Sequence, residues 1–389
     1  MQLIFVHTHP IQYFAPLYQY LTAQGWPLQV WYCSQGASSS QQLDKEFGTH
    51  LQWDLPLLEG YRHRFFTNEG HDRPGFGRYH HPQMLEALRQ EPPSLLVVHG
   101  WNYRTYVQLL RQAPRWGHRL AFRAETNAAM EAARPRWQQW ARRWLLRWLL
   151  GQVQAYCYIG QQSRLFYQRM GIAPHQLFFT PYAVDNDRFQ RQMQTQTREQ
   201  WRQQLGLPIH HRILLYSGKY IAKKRPLDAI RAFASLQGQP ATLVMMGEGE
   251  LRPAMEAQIT ELGLQQQVLL TGFVNQTAVP GWYAAADTLL MCSQYGETWG
   301  LSVNEGMNAG LSLILSDQVG CAADLLQPGI NGWGYACGDV AALTDCLQQW
   351  MHAPTSELQQ MGEASRQRVA EYSFAQIAKG LQAALQSLR

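Results

Sequence analysis

The sequence predicts an α/β protein made of two doubly wound parallel sheets, on three observations. Short apolar runs recur along the chain, each followed by a polar or helical stretch, which is the signature of βαβ units. That rhythm stops once, over residues 184–200, and then resumes. At 389 residues the chain is also too long for one ordinary core, and at roughly 100–200 residues per domain two cores are expected.

The first series of runs is 2-QLIFV-6, 28-LQVWYC-33, 94-SLLVVHG-100, 119-RLAFRAE-125, 154-QAYCYIG-160 and 177-LFFTPYA-183. They give the strands of an N-terminal domain spanning residues 1–186. The stretch 184-VDNDRFQRQMQTQTREQ-200 is polar and Gln-rich, without an apolar period until Trp201, and reads as the domain junction. A second series, 212-RILLYSG-218, 241-ATLVMMG-247, 267-QVLLTGF-273, 288-TLLMCS-293 and 311-LSLILSD-317, builds a C-terminal domain over 187–372, and residues 373–389 form a last helix expected to return to the first domain. In open sheets of this kind ligands bind at the carboxyl ends of the strands, so two such domains facing each other would enclose a cleft.

Composition narrows the class. Hydrophobic residues make up 46% and charged residues 16%, ample for two cores and incompatible with wholesale disorder. Cys33, Cys157, Cys292, Cys321, Cys337 and Cys346 are scattered without a CxxC or a Cys/His ladder, which argues against structural zinc and a disulfide framework and for a reducing compartment. The start MQLIFVHTHP lacks a basic leader and reads as a first strand, and no run reaches ~18 apolar residues, so a cytoplasmic location is the expectation. Residues 1–186 hold 18 Lys+Arg against 11 Asp+Glu (+7), whereas 187–389 hold 15 against 17 (−2), and seventeen of the first eighteen cations are Arg. The basic half points to an anionic partner.

The chemistry concentrates in 295-YGETWGLSVNEGM-307, where Glu297 and Glu305 stand eight residues apart. A helix is expected from about Trp299 to Ala309, with Thr298 as its N-cap and Gly310 closing it. The amides of Trp299, Gly300 and Leu301 would then face outward as donors, and Gly300, lacking a side chain, would let an anion approach the backbone. A carboxylate only accepts hydrogen bonds, so the two glutamates suit sugar hydroxyls rather than phosphate. Acids bracketing an anion site, with a sugar on each side, describe a nucleotide sugar. Taken alone such a pair is more often a solvated helix cap; its company changes that. The loop 217-SGKYIAKKRP-226 places Lys219 at a strand's carboxyl end and Lys224 five residues on, at the start of the next helix, while Lys223 and Arg225 read as a solvated turn.

The motifs 218-GKYIAKK-224, 247-GEGEL-251, 272-GF-273 and 297-ETWGLSVNE-305, in that order and spacing, resemble the C-terminal domain of the large group 1 type of retaining glycosyltransferases, whose GT-B fold sets two Rossmann-like domains face to face. The resemblance covers most of residues 210–350. It implies that Lys219 and Lys224, beside Gly218, hold the donor diphosphate, with Lys219 standing where most relatives carry Arg. It implies too that Glu305 binds the ribose, that Glu297 and the amides of Thr298, Trp299, Gly300 and Leu301 hold the transferred sugar, and that Phe273 lines the donor site. The implied reaction is metal-independent transfer from a UDP- or GDP-sugar with retention, without a cofactor; the partner is a nucleotide sugar and a glycan, lipid-linked or small acceptor, and no nucleic acid. The pair 185-DND-187 is then a turn and not a metal site.

The N-terminal domain resembles the family only in its strand rhythm and in a first-strand loop. Where many relatives carry a Gly-rich first loop and a His after a later strand, this chain has 7-HTHPIQYFAP-16 and 122-FRAET-126. His9, Gln12, Arg123 and Glu125, and His99 in 98-VHGWNY-103, are therefore candidates for the acceptor or the sugar, each set against an ordinary structural role. One motif lies outside this scheme. The segment 134-RPRWQQWARRWLLRWLLG-151 spaces Trp137, Trp140, Trp144 and Trp148 helically, flanked by Arg136, Arg143 and Arg147. Such a stripe suits a membrane interface, at the inner face of the membrane for a cytoplasmic protein, but a helix packed on a sheet also needs an apolar stripe, and packing is the favoured reading. Two rivals to transfer remain: a nucleotide-sugar epimerase of the same plan, and a non-catalytic glycan or nucleotide-sugar binding protein.

Overall fold

The structure, a computed structural model, describes residues 1–35, 42–44, 49–51, 54–66, 76 and 79–388. It divides into two compact units: Met1–Gln42 with Leu55–Tyr182 and Phe374–Arg389, and Leu43–Asp54 with Ala183–Ser373. The division thus falls at Tyr182/Ala183 and Ser373/Phe374, against the expected 186/187 and 372/373, and Leu43–Asp54 groups with the second unit.

The strands in chain order are β1 (Leu3–His7), β2 (Leu28–Tyr32), β3 (Gln42–Asp44), β4 (Thr49–Leu51), β5 (Arg62–Phe65), β6 (Leu95–His99), β7 (Arg119–Arg123), β8 (Ala155–Tyr158), β9 (Leu177–Phe179), β10 (Arg212–Ser217), β11 (Ala241–Met246), β12 (Val268–Gly272), β13 (Thr288–Met291), β14 (Ser312–Ser316) and β15 (Gly332–Tyr335). The first unit holds a seven-stranded sheet in the order β5-β2-β1-β6-β7-β8-β9, and the second a six-stranded sheet in the order β12-β11-β10-β13-β14-β15. Every pairing in both is parallel. These are two Rossmann-like domains. The strand order reverses between β1 and β6 in one and between β10 and β13 in the other, and in such sheets those switch points are where loops part to admit a ligand.

Helices cover both faces of each sheet, so the inner strands are apolar without alternation: β1, β11 and β14 are buried at every residue. Four strands were absent from the sequence reading: the short pair β3 and β4, and two members of the large sheets. Arg62–Phe65 (RHRF) is an edge strand with its first three residues exposed, and Gly332–Tyr335 (GWGY) holds two glycines in four residues. Neither has the composition of a buried strand.

The Gln-rich segment read as the junction is helical. It folds as two helices, Asn186–Met193 capped by Asp185 and Arg198–Gln204 capped by Thr197, the second with a complete capping box to Gln200. Phe189 and Met193 anchor the first in the core. The final helix, Phe374–Ser387, groups with the first unit; Phe374 lies 5.9 Å from the Tyr20 ring, and a side chain at Gly380 would strike the Phe179 carbonyl. All six cysteines are free. Among the described residues no helix is long and apolar enough to cross a membrane.

The tryptophan segment overturns the packing expectation. It forms the helix Arg136–Leu150, but the face turned to the core is Leu146, Leu149 and Leu150. Trp137, Trp140, Trp144 and Trp148 are exposed. Two apolar stripes share this helix, and aliphatic leucines filled the gap against the sheet.

Candidate active site

The second unit gathers its polar side chains at the carboxyl ends of β10 to β13. After β10 the chain turns at Gly218, whose amide donates to the Met246 carbonyl (3.0 Å), and Tyr220 N–H donates to the Glu248 carbonyl (2.9 Å). The loops after β11 and β12 are joined in turn, Gly247 N–H to Gly272 O (3.1 Å). Lys219, half-buried, follows Gly218, and Phe273, also half-buried, follows Gly272.

Lys224 closes a single helical turn, Ala222–Lys224, that directs it back over Gly218, where an added Cβ would meet its Cδ at 3.8 Å. Its ammonium forms an ion pair with the Glu297 carboxylate, and the two side chains are only 18% and 10% exposed. The loops carrying this pair are bound together: Gln294 N–H donates to Lys223 O (2.9 Å) and Arg225 Nη1 donates to Gln294 Oε1 (3.1 Å). Arg225 has φ 49°, the one positive φ among described non-glycine residues, a conformation that costs roughly 1–2 kcal/mol in an L-residue. Its Nε donates to Asp228 Oδ2 (2.5 Å), which holds the strained residue in place. Arg225 is therefore no solvated turn residue; it braces the ion pair.

The helix after β13 begins later than expected. It runs Leu301–Asn308 with Gly300 as N-cap at φ 96°, and Thr298 does not cap it. A left-handed cap residue excludes most side chains, and Gly300 is also backed by Met291, whose Cε lies 3.0 Å from an added Cβ. The glycine is thus required by the turn itself, whatever approaches the helix start. Trp299 points inward, its indole N–H donating to Asn304 Oδ1 (2.8 Å). Donors open at the helix start are those of the first helical turn, Leu301 and Ser302. Glu305, buried one turn on, accepts from the Tyr283 hydroxyl (2.8 Å). Gly320 backs the loop that carries Glu297 and Thr298: a Cβ there would stand 2.3 Å from Thr298 O and 2.6 Å from Glu297 O. Asp185, in the DND triplet, caps a helix by accepting from Arg188 N–H (2.9 Å).

The first unit has its own cluster at the switch point. His7, the last residue of β1, shares a hydrogen bond with the Tyr18 hydroxyl and stacks on His99 at 3.8 Å between ring centres. His99 Nδ1 also lies 3.2 Å from Val6 O. Burial, then neighbouring His99 and Arg123, holds His7 well below the ordinary histidine range, and burial, then Arg123, pulls His99 down to about 3. Both rings are neutral at pH 7. Arg123 is buried over the Phe14 and Tyr182 rings (5.1 and 4.6 Å) and donates to the carbonyls of Thr180 and Pro181. Glu125, at the surface, accepts from the Tyr182 hydroxyl; His9 Nδ1 bonds Thr8 Oγ1 (2.9 Å), and Gln12 is half-buried in the same loop. His7, Tyr18 and Tyr182 were missed in the sequence, though His7 ends a strand, the one signal that could have marked it.

Two family models match the chain. Residues 197–368 match "Glycosyl transferases group 1" and residues 10–183 match "Glycosyl transferase 4-like domain". The chain belongs to the group 1 glycosyltransferase family. An uncharacterized glycosyltransferase of Methanocaldococcus jannaschii is 30% identical over 137 residues, 35% of each chain. The 2-deoxystreptamine glucosyltransferase of Streptomyces kanamyceticus is 29% identical over 215 residues, 54% of each chain. The chain thus spans a third to just over half the length of these curated relatives. Among solved structures, Anabaena HepE in complex with UDP and glucose superposes with a TM-score of 0.73 at 16% identity over the full length of both chains. That likeness establishes the GT-B fold of this group 1 member, and the two Rossmann-like sheets described above are its two halves.

Proposed function

We propose that the protein is a retaining, metal-independent glycosyltransferase that moves a sugar from a nucleoside diphosphate to an acceptor hydroxyl. The observation that carries this reading is the Lys224–Glu297 pair at the carboxyl ends of β10 and β13, beside a helix start and Lys219. An arriving diphosphate competes with Glu297 for Lys224, and the displaced carboxylate is then available to the sugar's hydroxyls. As the bond between the anomeric carbon and the diphosphate oxygen breaks, its electron pair leaves with that oxygen, and Lys224, Lys219 and the amides of Leu301 and Ser302 stabilise the growing negative charge. The acceptor oxygen bonds to the anomeric carbon from the same face, and its proton passes to the departing phosphate. Glu305, oriented by Tyr283, holds the ribose.

In the first unit, Arg123 and His99 are engaged with internal partners and serve as the floor of the acceptor site, with His9, Gln12 and Glu125 as its polar rim. UDP is the favoured nucleotide, since HepE is described in complex with UDP and with UDP-glucose; GDP is the alternative. Six free thiols suit a reducing, cytoplasmic setting.

The test is incubation with a panel of UDP- and GDP-sugars in a chelator, following nucleotide release and the anomeric configuration of the product. Release of nucleotide with retained configuration supports the reading. A new nucleotide sugar without release of nucleotide identifies an epimerase, donor binding without turnover identifies a binding protein, and a strict need for a divalent cation overturns the metal-independent mechanism.

A further inference from the structure

The helix Arg136–Leu150 is held by one apolar face and displays another. Leu146, Leu149 and Leu150 lie in the core of the first unit, while Trp137, Trp140, Trp144 and Trp148 are 70, 72, 65 and 51% exposed and Leu145 is exposed beside them. At about 100° per residue the four tryptophans share a stripe roughly 80° wide, with Arg136, Arg143 and Arg147 in a parallel row on its flank. Rings of this size leave on the order of 500 Å² of indole surface in water, an area that marks a docking surface.

The chemistry of the stripe selects its occupant. Residues 132–150 contain five arginines and no carboxylate, and the nearby Glu131 is already paired with Arg142 (3.1 Å) and Arg134 (3.4 Å). Arg111 adds a further cation, 4.0 Å over the Trp148 ring. A second copy of this chain would set one arginine row against another. Tryptophan is apolar with one polar edge, and arginine is long enough to reach from an apolar layer to phosphate, which is the composition of a helix lying in a lipid interface.

We propose that this face docks the first unit onto an anionic lipid bilayer. The helix lies in the plane of the interface, its indoles at the boundary of headgroups and acyl chains and its arginines on the lipid phosphates. The inference stands on the exposed stripe alone and holds whether or not the second unit transfers sugar.

The experiment is co-sedimentation of the full chain with vesicles of phosphatidylcholine, alone or mixed equally with phosphatidylglycerol, at low and high salt. Binding to the anionic vesicles is expected, weakening with salt and at least ~10-fold weaker on the neutral ones. Trp140→Gln with Trp144→Gln is expected to reduce it ~10-fold, and Arg143→Gln with Arg147→Gln to reduce it and flatten its salt dependence. Circular dichroism establishes that each variant is folded. Should a tryptophan variant not fold, quenching of wild-type fluorescence by brominated acyl chains reports insertion directly. Absence of vesicle binding, binding that both double variants leave unchanged, a Trp140- and Trp144-dependent self-association in its place, or preferential binding of a single-stranded oligonucleotide would each overturn the proposal.

Discussion

The Lys224–Glu297 pair makes a prediction that separates stability from chemistry. Lys224→Met strands a carboxylate whose side chain is 10% exposed, and Glu297→Gln strands an ammonium whose side chain is 18% exposed. Removing one partner of a fully buried pair costs 3–5 kcal/mol; with this residual exposure about 2 kcal/mol is expected for each single change. The double variant leaves no orphaned charge and is expected to cost about 1 kcal/mol, a coupling of about −3 kcal/mol. The assay is urea unfolding of the four proteins at pH 7 without donor, each compared at matched salt. Activity should follow a different pattern: Lys224→Met lowers kcat on the order of 10²–10³-fold, because leaving-group charge loses its counter-charge, and the double variant recovers stability without recovering rate. Stabilities that add within ~0.5 kcal/mol would refute the ion pair, and an unchanged kcat in folded Lys224→Met would place the reacting diphosphate elsewhere.

Glu305→Ala is expected to raise the donor KM with little change in kcat, since ribose contacts are equal before and during reaction, and Tyr283→Phe, which removes only the 2.8 Å donor to that carboxylate, should shift KM less; steady-state kinetics with a fixed acceptor decides. Gly320→Ala should destabilise by about 1–3 kcal/mol and weaken donor binding, because its Cβ would stand 2.3 Å from the Thr298 carbonyl; unfolding midpoints and donor titration check both. Lys219→Arg keeps the charge and should leave kcat within a few fold. Stability should also depend on acid. His99, held down to about 3 by burial and then Arg123, stays neutral when folded, while the unfolded chain takes up a proton below about 6.5. Its contribution is therefore complete above 6.5 and is lost as pH falls toward 3, with about 2 kcal/mol gone by pH 5, and His7 acts in the same direction. His99→Phe should flatten the unfolding midpoint between pH 7 and pH 5, and an unchanged slope would mean the ring is not neutral in the fold.

What the sequence disclosed follows from which interactions are local. Runs such as 2-QLIFV-6 and 311-LSLILSD-317 are legible because inner parallel strands are covered on both faces and cannot hide their hydrophobicity. Edge strands have no such obligation, so RHRF passed unnoticed. At the helix after β13 the preference of Thr for an N-cap competed with a left-handed Gly300, and the backbone turn won by two residues. Periodicity located the tryptophans on one stripe but could not say which of two stripes faces inward; that depended on leucines meeting the sheet. Lys219, Lys224, Glu297 and Glu305 stood out through their spacing. Arg225, Gln294, Tyr283 and Gly320, which brace them, act across dozens of residues and carry no local pattern.

The loops at the ends of β10 to β13 are stitched by main-chain atoms: Gly218 to Met246, Tyr220 to Glu248, Gly247 to Gly272 and Gln294 to Lys223. A substitution cannot delete an amide or a carbonyl, Pro aside, so this framework is indifferent to most of the side chains it carries. The side chain at position 273 can consequently vary in size while the backbone at these strand ends keeps its shape, whereas position 219 keeps its charge for the role proposed above. If the second unit holds the donor as proposed, single replacements on this frame exchange one base or sugar for another, which makes it a practical starting point for redirecting specificity by selection.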